Sequence, residues 1–241
     1  MMKIEKQGIP ISVIFHLAPG LINLVVYILI VQITDRIGLP NTIALYFMII
    51  LSILTVQIGI LLIIAKKKLG TYHILQLMPW FQKSKGWEYI LYIGILAVWA
   101  LLVSAFMTPI EQNIQTNIFS FFPANLIVDN YDPSAITSGM IIFISLFGFI
   151  TNGIIAPVVE ELYFRGFLLP RINTNENVAV IISAVLFSFY HFFSPWAFFS
   201  RILMMIPLYY VVVKKKNLRF SIASHIIANS ITSLSLLSIL L

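Results

Sequence analysis

Two adjacent glutamates and an arginine interrupt the apolar stretch APVVEELYFRGFLLP, Ala156 to Pro170, and two histidines and an asparagine follow in FSFYH, Phe187 to His191, and HIIAN, His225 to Asn229. Carboxylates, imidazoles and amides are the groups that move protons and stabilise developing charge. Ionisable side chains inside a membrane span cost about 2.5–3.5 kcal/mol each at its centre, so they face the bundle interior and mark a function. Helix neighbours point about 100° apart, so Glu160 and Glu161 cannot share one role. Glu161 and Arg165 are four residues apart with the acid on the N-terminal side, the better orientation for a pair. Glu161 is therefore neutralised by Arg165, in a pair that also fits a structural staple. Glu160 is left pointing elsewhere without a local partner, and a carboxylate in a poorly solvated site suits general acid or base work near neutral pH.

The chain around these residues predicts how they meet. The polar stretch INTNENV, Ile172 to Val178, reads as a turn between two apolar runs. In an antiparallel hairpin, residues equidistant from the turn lie at equal height, and the midpoint of 160 and 191 falls inside this turn. Glu160 and His191 should lie side by side, about 16–21 Å above the turn at a rise of 1.5 Å per residue. Phe187, one turn before His191, can pack against its ring. His225 and Asn229 share a helix face, roughly 9–15 Å from the start of the last apolar run. One carboxylate, two imidazoles and one amide are thus expected to converge in a cavity reached from the cytoplasm. The remaining polar residues in apolar runs have blander explanations. His16, Gln32 and Gln57 read as interhelical hydrogen-bonding residues and His73 as interfacial.

Composition sets the frame that must hold this site. The chain is 60% hydrophobic and 10% charged, with a mean hydropathy of +0.98. Soluble domains carry about 25% charged residues, so this is the balance of a polytopic membrane protein. The expected fold is an all-α transmembrane bundle. Its seven helices lie at roughly 11–33, 42–65, 88–109, 138–171, 177–193, 197–213 and 220–240. The segment 69–81 reads as an interfacial helix with a Trp anchor, and an eighth helix arises only if it enters the membrane. The first run is longer than a signal-peptide core and is read as a retained span. No second folded domain fits. Residues 1–136 form the N-terminal helices, with a basic loop at 66–87 and an outer loop at 110–136. Residues 137–241 carry the candidate chemistry.

Charge placement gives the orientation. With the N-terminus inside, all of the 15 Lys and Arg residues except Arg36 and Arg201 fall on the inner side, as the positive-inside rule requires. The outer loop holds Glu111, Asp129 and Asp132 instead. The expected location is the cell membrane, N-terminus cytoplasmic and C-terminus outside. The net charge of +6 is then a topology signal and not a nucleic-acid footprint. There is no cysteine, which excludes disulfides, thiolate metal sites and a thiol nucleophile.

The three motifs together resemble those of the CPBP family, also called the CAAX protease and bacteriocin-processing or ABI family. EELYFR matches its EExxxR motif, FSFYH its FxxxH motif and HIIAN its HxxxN motif, in the same order and on separate spans. The resemblance covers about residues 137–241 and implies an intramembrane endopeptidase acting on a peptide or a membrane-associated protein. Carried over, Glu160 is the base that activates water, His191 assists it, and His225 and Asn229 stabilise the oxyanion, with Glu161 and Arg165 in an orienting role. Family names often imply a metalloprotease, and zinc would take Glu160, His191 and His225. The HExxH arrangement is absent, and a glutamate mechanism without metal fits the same residues. The non-enzymatic alternative is a membrane regulator or bacteriocin self-immunity protein that binds a partner through the same polar network. Proton-coupled transport ranks below both, since no inverted repeat is evident. Neither substrate nor oligomeric state is read from the sequence.

Overall fold

The computed structural model describes residues 4–128 and 136–240. They form seven main helices and no sheet. These are α1 (Ile9–Arg36), α2 (Asn41–Leu69), α3 (Gly86–Asn117), α4 (Ser138–Arg171), α5 (Glu176–Tyr190), α6 (Pro195–Lys215) and α7 (Arg219–Leu240). All but α5 are long and apolar enough to cross a membrane, which makes this a multi-pass membrane protein. With 15 residues, α5 falls short of the roughly 20 that a span needs.

The helix limits follow local chemistry. Gly70, at φ 72°, ends α2 in the left-handed conformation that glycine adopts without steric cost. Glu88 reaches back to the Lys85 backbone N–H at 2.9 Å at the start of α3. The side chains of Thr137 and Asn175 accept from Met140 N and Val178 N at the heads of α4 and α5. Two expectations need correction. No helix fills 69–81. Only Ile74–Leu77 forms a short 3₁₀ turn, and Trp80 is buried beneath the Lys216 ammonium instead of anchoring an interface. The expected outer loop also begins later, because α3 continues through Pro109 to Asn117 and Glu111 is therefore helical. Asp129 and Asp132 lie outside the described residues.

The inward stripe of α1 is small and polar: Ser12, His16, Gly20, Asn23, Tyr27 and Thr34 are buried. Its outward side chains, Ile14, Leu21, Val25 and Leu29 among them, are exposed, as suits a helix facing lipid on one side and protein on the other. Gly20 lets α1 lie directly on the backbone of Tyr190 at the end of α5, where a Cβ would collide with the carbonyl. His16 bridges Ser12 O at 2.7 Å and Ser183 Oγ at 3.2 Å, the interhelical role expected of it. Gln57 is likewise buried and bonded across helices, whereas Gln32 is exposed. His73 is exposed beside its short turn.

The apolar interior divides along the bundle axis. One cluster, with Leu61, Phe167, Val212 and Leu218, fills the end that carries Lys66–Lys68 and Lys214–Lys216. The other, with Tyr27, Ile43, Ile49, Ile144 and Val159, fills the opposite half. The basic end is closed further by backbone pairing. Gln7 N donates to Arg171 O at 2.7 Å, and Leu218 N donates to Trp80 O at 2.9 Å. Arg171 donates to the carbonyls of Phe167 and Leu77, and Lys68 pairs with Glu5.

The close approach of α1 to α5 gives a matched test. Gly20→Ala should destabilise the detergent-solubilised protein by about 1–3 kcal/mol through overpacking. Gly59→Ala, where a Cβ meets nothing within 4 Å, should leave the unfolding midpoint unchanged or slightly higher. Thermal unfolding followed by tryptophan fluorescence reads both.

Candidate functional site

The candidate residues collect where the two apolar clusters meet. Glu160 follows Val159 of one cluster and precedes Tyr163 of the other, and His191 lies between Tyr190 and Phe193, which divide in the same way. Glu160 is buried, and its Oε1 lies 3.8 Å from His191 Nε2, the side-by-side placement that the hairpin predicts. Three features position His191. The helix α5 stops one residue before it. Its Nδ1 is 2.9 Å from the Phe187 carbonyl; a carbonyl only accepts, so Nδ1 donates there and Nε2 is the nitrogen turned toward Glu160. Its ring is wedged edge-on against Phe187 and Tyr190, each at 4.8 Å between centroids.

The end of α5 is itself pinned. Tyr190 Oη accepts from Asn23 Nδ2 at 2.7 Å and from Gln57 Nε2 at 2.6 Å. Ser52 Oγ donates to Asn23 Oδ1 at 2.6 Å, so α1, α2 and α5 share one buried network directly beneath His191. Apart from Gln57, these residues are not singled out by the sequence, although the polar inward stripe of α1 is a signal for them.

Glu161 takes a different partner set. Its Oε1 lies 3.2 Å from Arg165 Nη1, the expected pair, and also accepts from His225 Nδ1 at 2.9 Å. Both acid and guanidinium are fully buried. Arg165 is stacked between the rings of Phe187 and Tyr209, at 4.0 and 4.2 Å from their centroids, and its Nη2 lies 2.6 Å from Met205 Sδ. Phe187 therefore touches both the Arg165 cation and the His191 ring.

Asn229 is placed by the backbone of α4. The turns over Phe149–Ile155 are wide, π-helical turns, and Pro157 has no N–H for the carbonyls four and five residues before it. Both carbonyls are met by α7. Asn229 Nδ2 donates to Asn152 O at 3.1 Å and Ser230 Oγ approaches Gly153 O at 3.5 Å. Gly153 also provides the room, since a Cβ there would stand 2.9 Å from Ser230 Oγ. The signal in the sequence, a proline four residues after a glycine in an apolar span, concerns α4 and not Asn229.

Glu160, His191, His225 and Asn229 line one cavity of about 280 Å³. Glu161 does not line it and acts from behind His225. The lining includes none of Lys66–Lys68 or Lys214–Lys216 of the basic end. Phe187, Met205 and Leu208 are among its apolar lining. A wider cavity of about 830 Å³ adjoins at the opposite end, built on Glu111, Gln112 and Trp196, with Leu45 and Arg201 shared between the two. Arg201 therefore faces the site. The set proposed for zinc does not form a metal site either. Among the described residues, no group of three or more His, Asp or Glu is placed to hold an ion.

Fold and site define a multi-pass membrane protein with a cluster of Glu160, His191, His225 and Asn229 around one cavity within the helices. Residues 142–231 match the family described as Type II CAAX prenyl endopeptidase Rce1-like, in line with the resemblance that the three motifs carry. A curated relative, UPF0177 protein YxdF of Lactococcus lactis subsp. lactis (strain IL1403), is 37% identical over 65 residues. That stretch covers 27% of this chain and 36% of the relative's length. No solved structure matches.

The buried pair predicts a non-additive pattern. Arg165→Met leaves the Glu161 charge short of a partner and should cost about 3–5 kcal/mol of stability. Adding Glu161→Gln to Arg165→Met should recover part of that loss, as read by unfolding of single and double variants in the same detergent. Equal or greater loss in the double variant would show that the pair is not what Arg165 stabilises.

Proposed function

We propose that this protein is an intramembrane endopeptidase that hydrolyses a bond in a peptide or membrane-associated protein, with Glu160 as general base. The observation that carries the proposal is the placement of the buried Glu160 carboxyl 3.8 Å from Nε2 of His191, both lining one cavity with His225 and Asn229. That spacing exceeds a direct hydrogen bond, and a water lying off the line between them can reach both. Glu160 takes a proton from that water, the resulting hydroxide adds to the scissile carbonyl, and the same proton goes to the leaving amine. His225 and Asn229 answer the charge that forms on the carbonyl oxygen. With its Nδ1 held by Glu161 at 2.9 Å, His225 has Nε2 left to turn toward that oxygen. Asn229 has one N–H on Asn152 and a second to offer. The Rce1-like match over residues 142–231 supports the reaction class.

The lining of the wider cavity supports substrate entry from the end opposite Lys214–Lys216. If the basic end is cytoplasmic by the positive-inside rule, that entry is at the outer side. No step here uses a metal ion.

Purified protein in liposomes, incubated with a mixed-sequence peptide library and read by mass spectrometry, tests the proposal. Glu160→Gln and His191→Ala should each lower cleavage by about 10²-fold or more, with amounts of folded protein unchanged. Cleavage at the wild-type rate by either variant would remove these residues from the reaction. In the same assay, chelator should leave the wild-type rate intact. Loss of cleavage with chelator and its return with zinc would instead assign the reaction to a bound ion.

A further inference from the structure

Arg201 is the cation near the site that the proposed chemistry does not use. It lies in the first turns of α6 and lines both the 280 Å³ cavity with Glu160 and the adjoining 830 Å³ cavity. Its Nη1 donates to the Ser194 carbonyl at 2.9 Å and its Nη2 to Ser194 Oγ. No carboxylate among the described residues lies within ion-pair distance of it; the charges of Glu111 and Glu160 reach it only from farther away. The other arginines beside the core line neither cavity. Arg165 has Glu161 and two rings, and Arg171 has two carbonyls. A guanidinium has five N–H donors in a planar fork that matches a carboxylate. A cation held without an acid partner in an apolar span is costly unless something else uses it.

We propose that Arg201 binds a carboxylate of the substrate close to the scissile bond, so that the site selects peptides that carry one there. The proposal rests on the peptidase reading above. The carboxylate has two possible sources, an Asp or Glu side chain or a free C-terminus, and both present the same planar anion. The position suits selection: the guanidinium stands between the wider cavity, where a chain enters, and the Glu160–His191 pair, where it is cut.

Arg201 also bonds the loop that follows His191, since Ser194 N donates to His191 O at 3.0 Å. A loop staple and a carboxylate receptor make different predictions. Loss of a staple weakens all peptides alike, whereas loss of a receptor weakens only those bearing the anion.

The test uses full-length protein in lipid nanodiscs and hexapeptides in matched pairs: acid or amide C-terminus, and Glu or Gln at each internal position. Binding is measured on the Glu160→Gln variant, with or without Arg201→Gln, and cleavage on protein with native Glu160. At least one of the two pair types should favour the anionic member about tenfold or more, and the pair type that does identifies the source. Arg201→Gln should abolish that preference while leaving the neutral member within about twofold, and Arg201→Lys should keep part of it. Equal binding of both members, or a preference that survives Arg201→Gln, overturns the proposal. An equal fall for both members on Arg201→Gln does so too, and leaves the staple. If the preference is present but no peptide is cut, the peptidase reading fails and the carboxylate site stands. If peptides are cut without preference, the reverse holds.

Discussion

Everything around the site depends on satisfying two adjacent carboxylates in a medium that solvates neither. Glu160 and Glu161 leave α4 in different directions, so one partner cannot serve both. Glu161 is met by Arg165 from its own helix and His225 from α7. Arg165 is in turn enclosed by Phe187 of α5 and by Met205 and Tyr209 of α6. One buried acid thus recruits side chains from four helices. Removing a member strands a charge in low dielectric, which is why such clusters are held so firmly.

Glu160 has the opposite arrangement. Its neighbour His191 stands at 3.8 Å and not in a direct bond, and both line a cavity where other polar groups are available. The difference between the two acids is one of supply. Glu161 is engaged through Oε1 by a guanidinium and an imidazole, whereas Glu160 has no direct hydrogen-bond partner among the described residues and faces the cavity. This asymmetry, more than burial as such, makes Glu160 the candidate base.

The half-length helix α5 is the architectural counterpart of that chemistry. A helix that stops inside the bundle leaves unpaired backbone at membrane depth, which is tolerated where it lines a cavity or is buried in protein. Here the stop is fixed by Tyr190, whose hydroxyl is held by α1 and α2, and the chain turns at once into His191. Pro157 plays a similar part in α4, where its missing N–H leaves carbonyls that draw α7 close. Each irregularity of the backbone is matched by a polar side chain from a neighbour, and the cavity forms where these exceptions coincide.

Much of this was legible before any coordinates. Apolar runs and the placement of Lys and Arg define the bundle, because membrane thickness and charge asymmetry act on the chain locally. The polar turn after Arg171 puts Glu160 beside His191, because helix rise is constant on both arms of a hairpin. The i, i+4 spacing pairs Glu161 with Arg165 for the same reason. What only the tertiary structure decided lies between elements that are distant in sequence. Examples are His225 on Glu161 and not Glu160, the Tyr190 anchor, Trp80 buried and not interfacial, and Arg201 turned into the cavity. Helical periodicity gives which residues share a face; which faces meet depends on crossing helices, close approaches such as Gly20 on Tyr190, and the unmet backbone groups that neighbouring helices must satisfy.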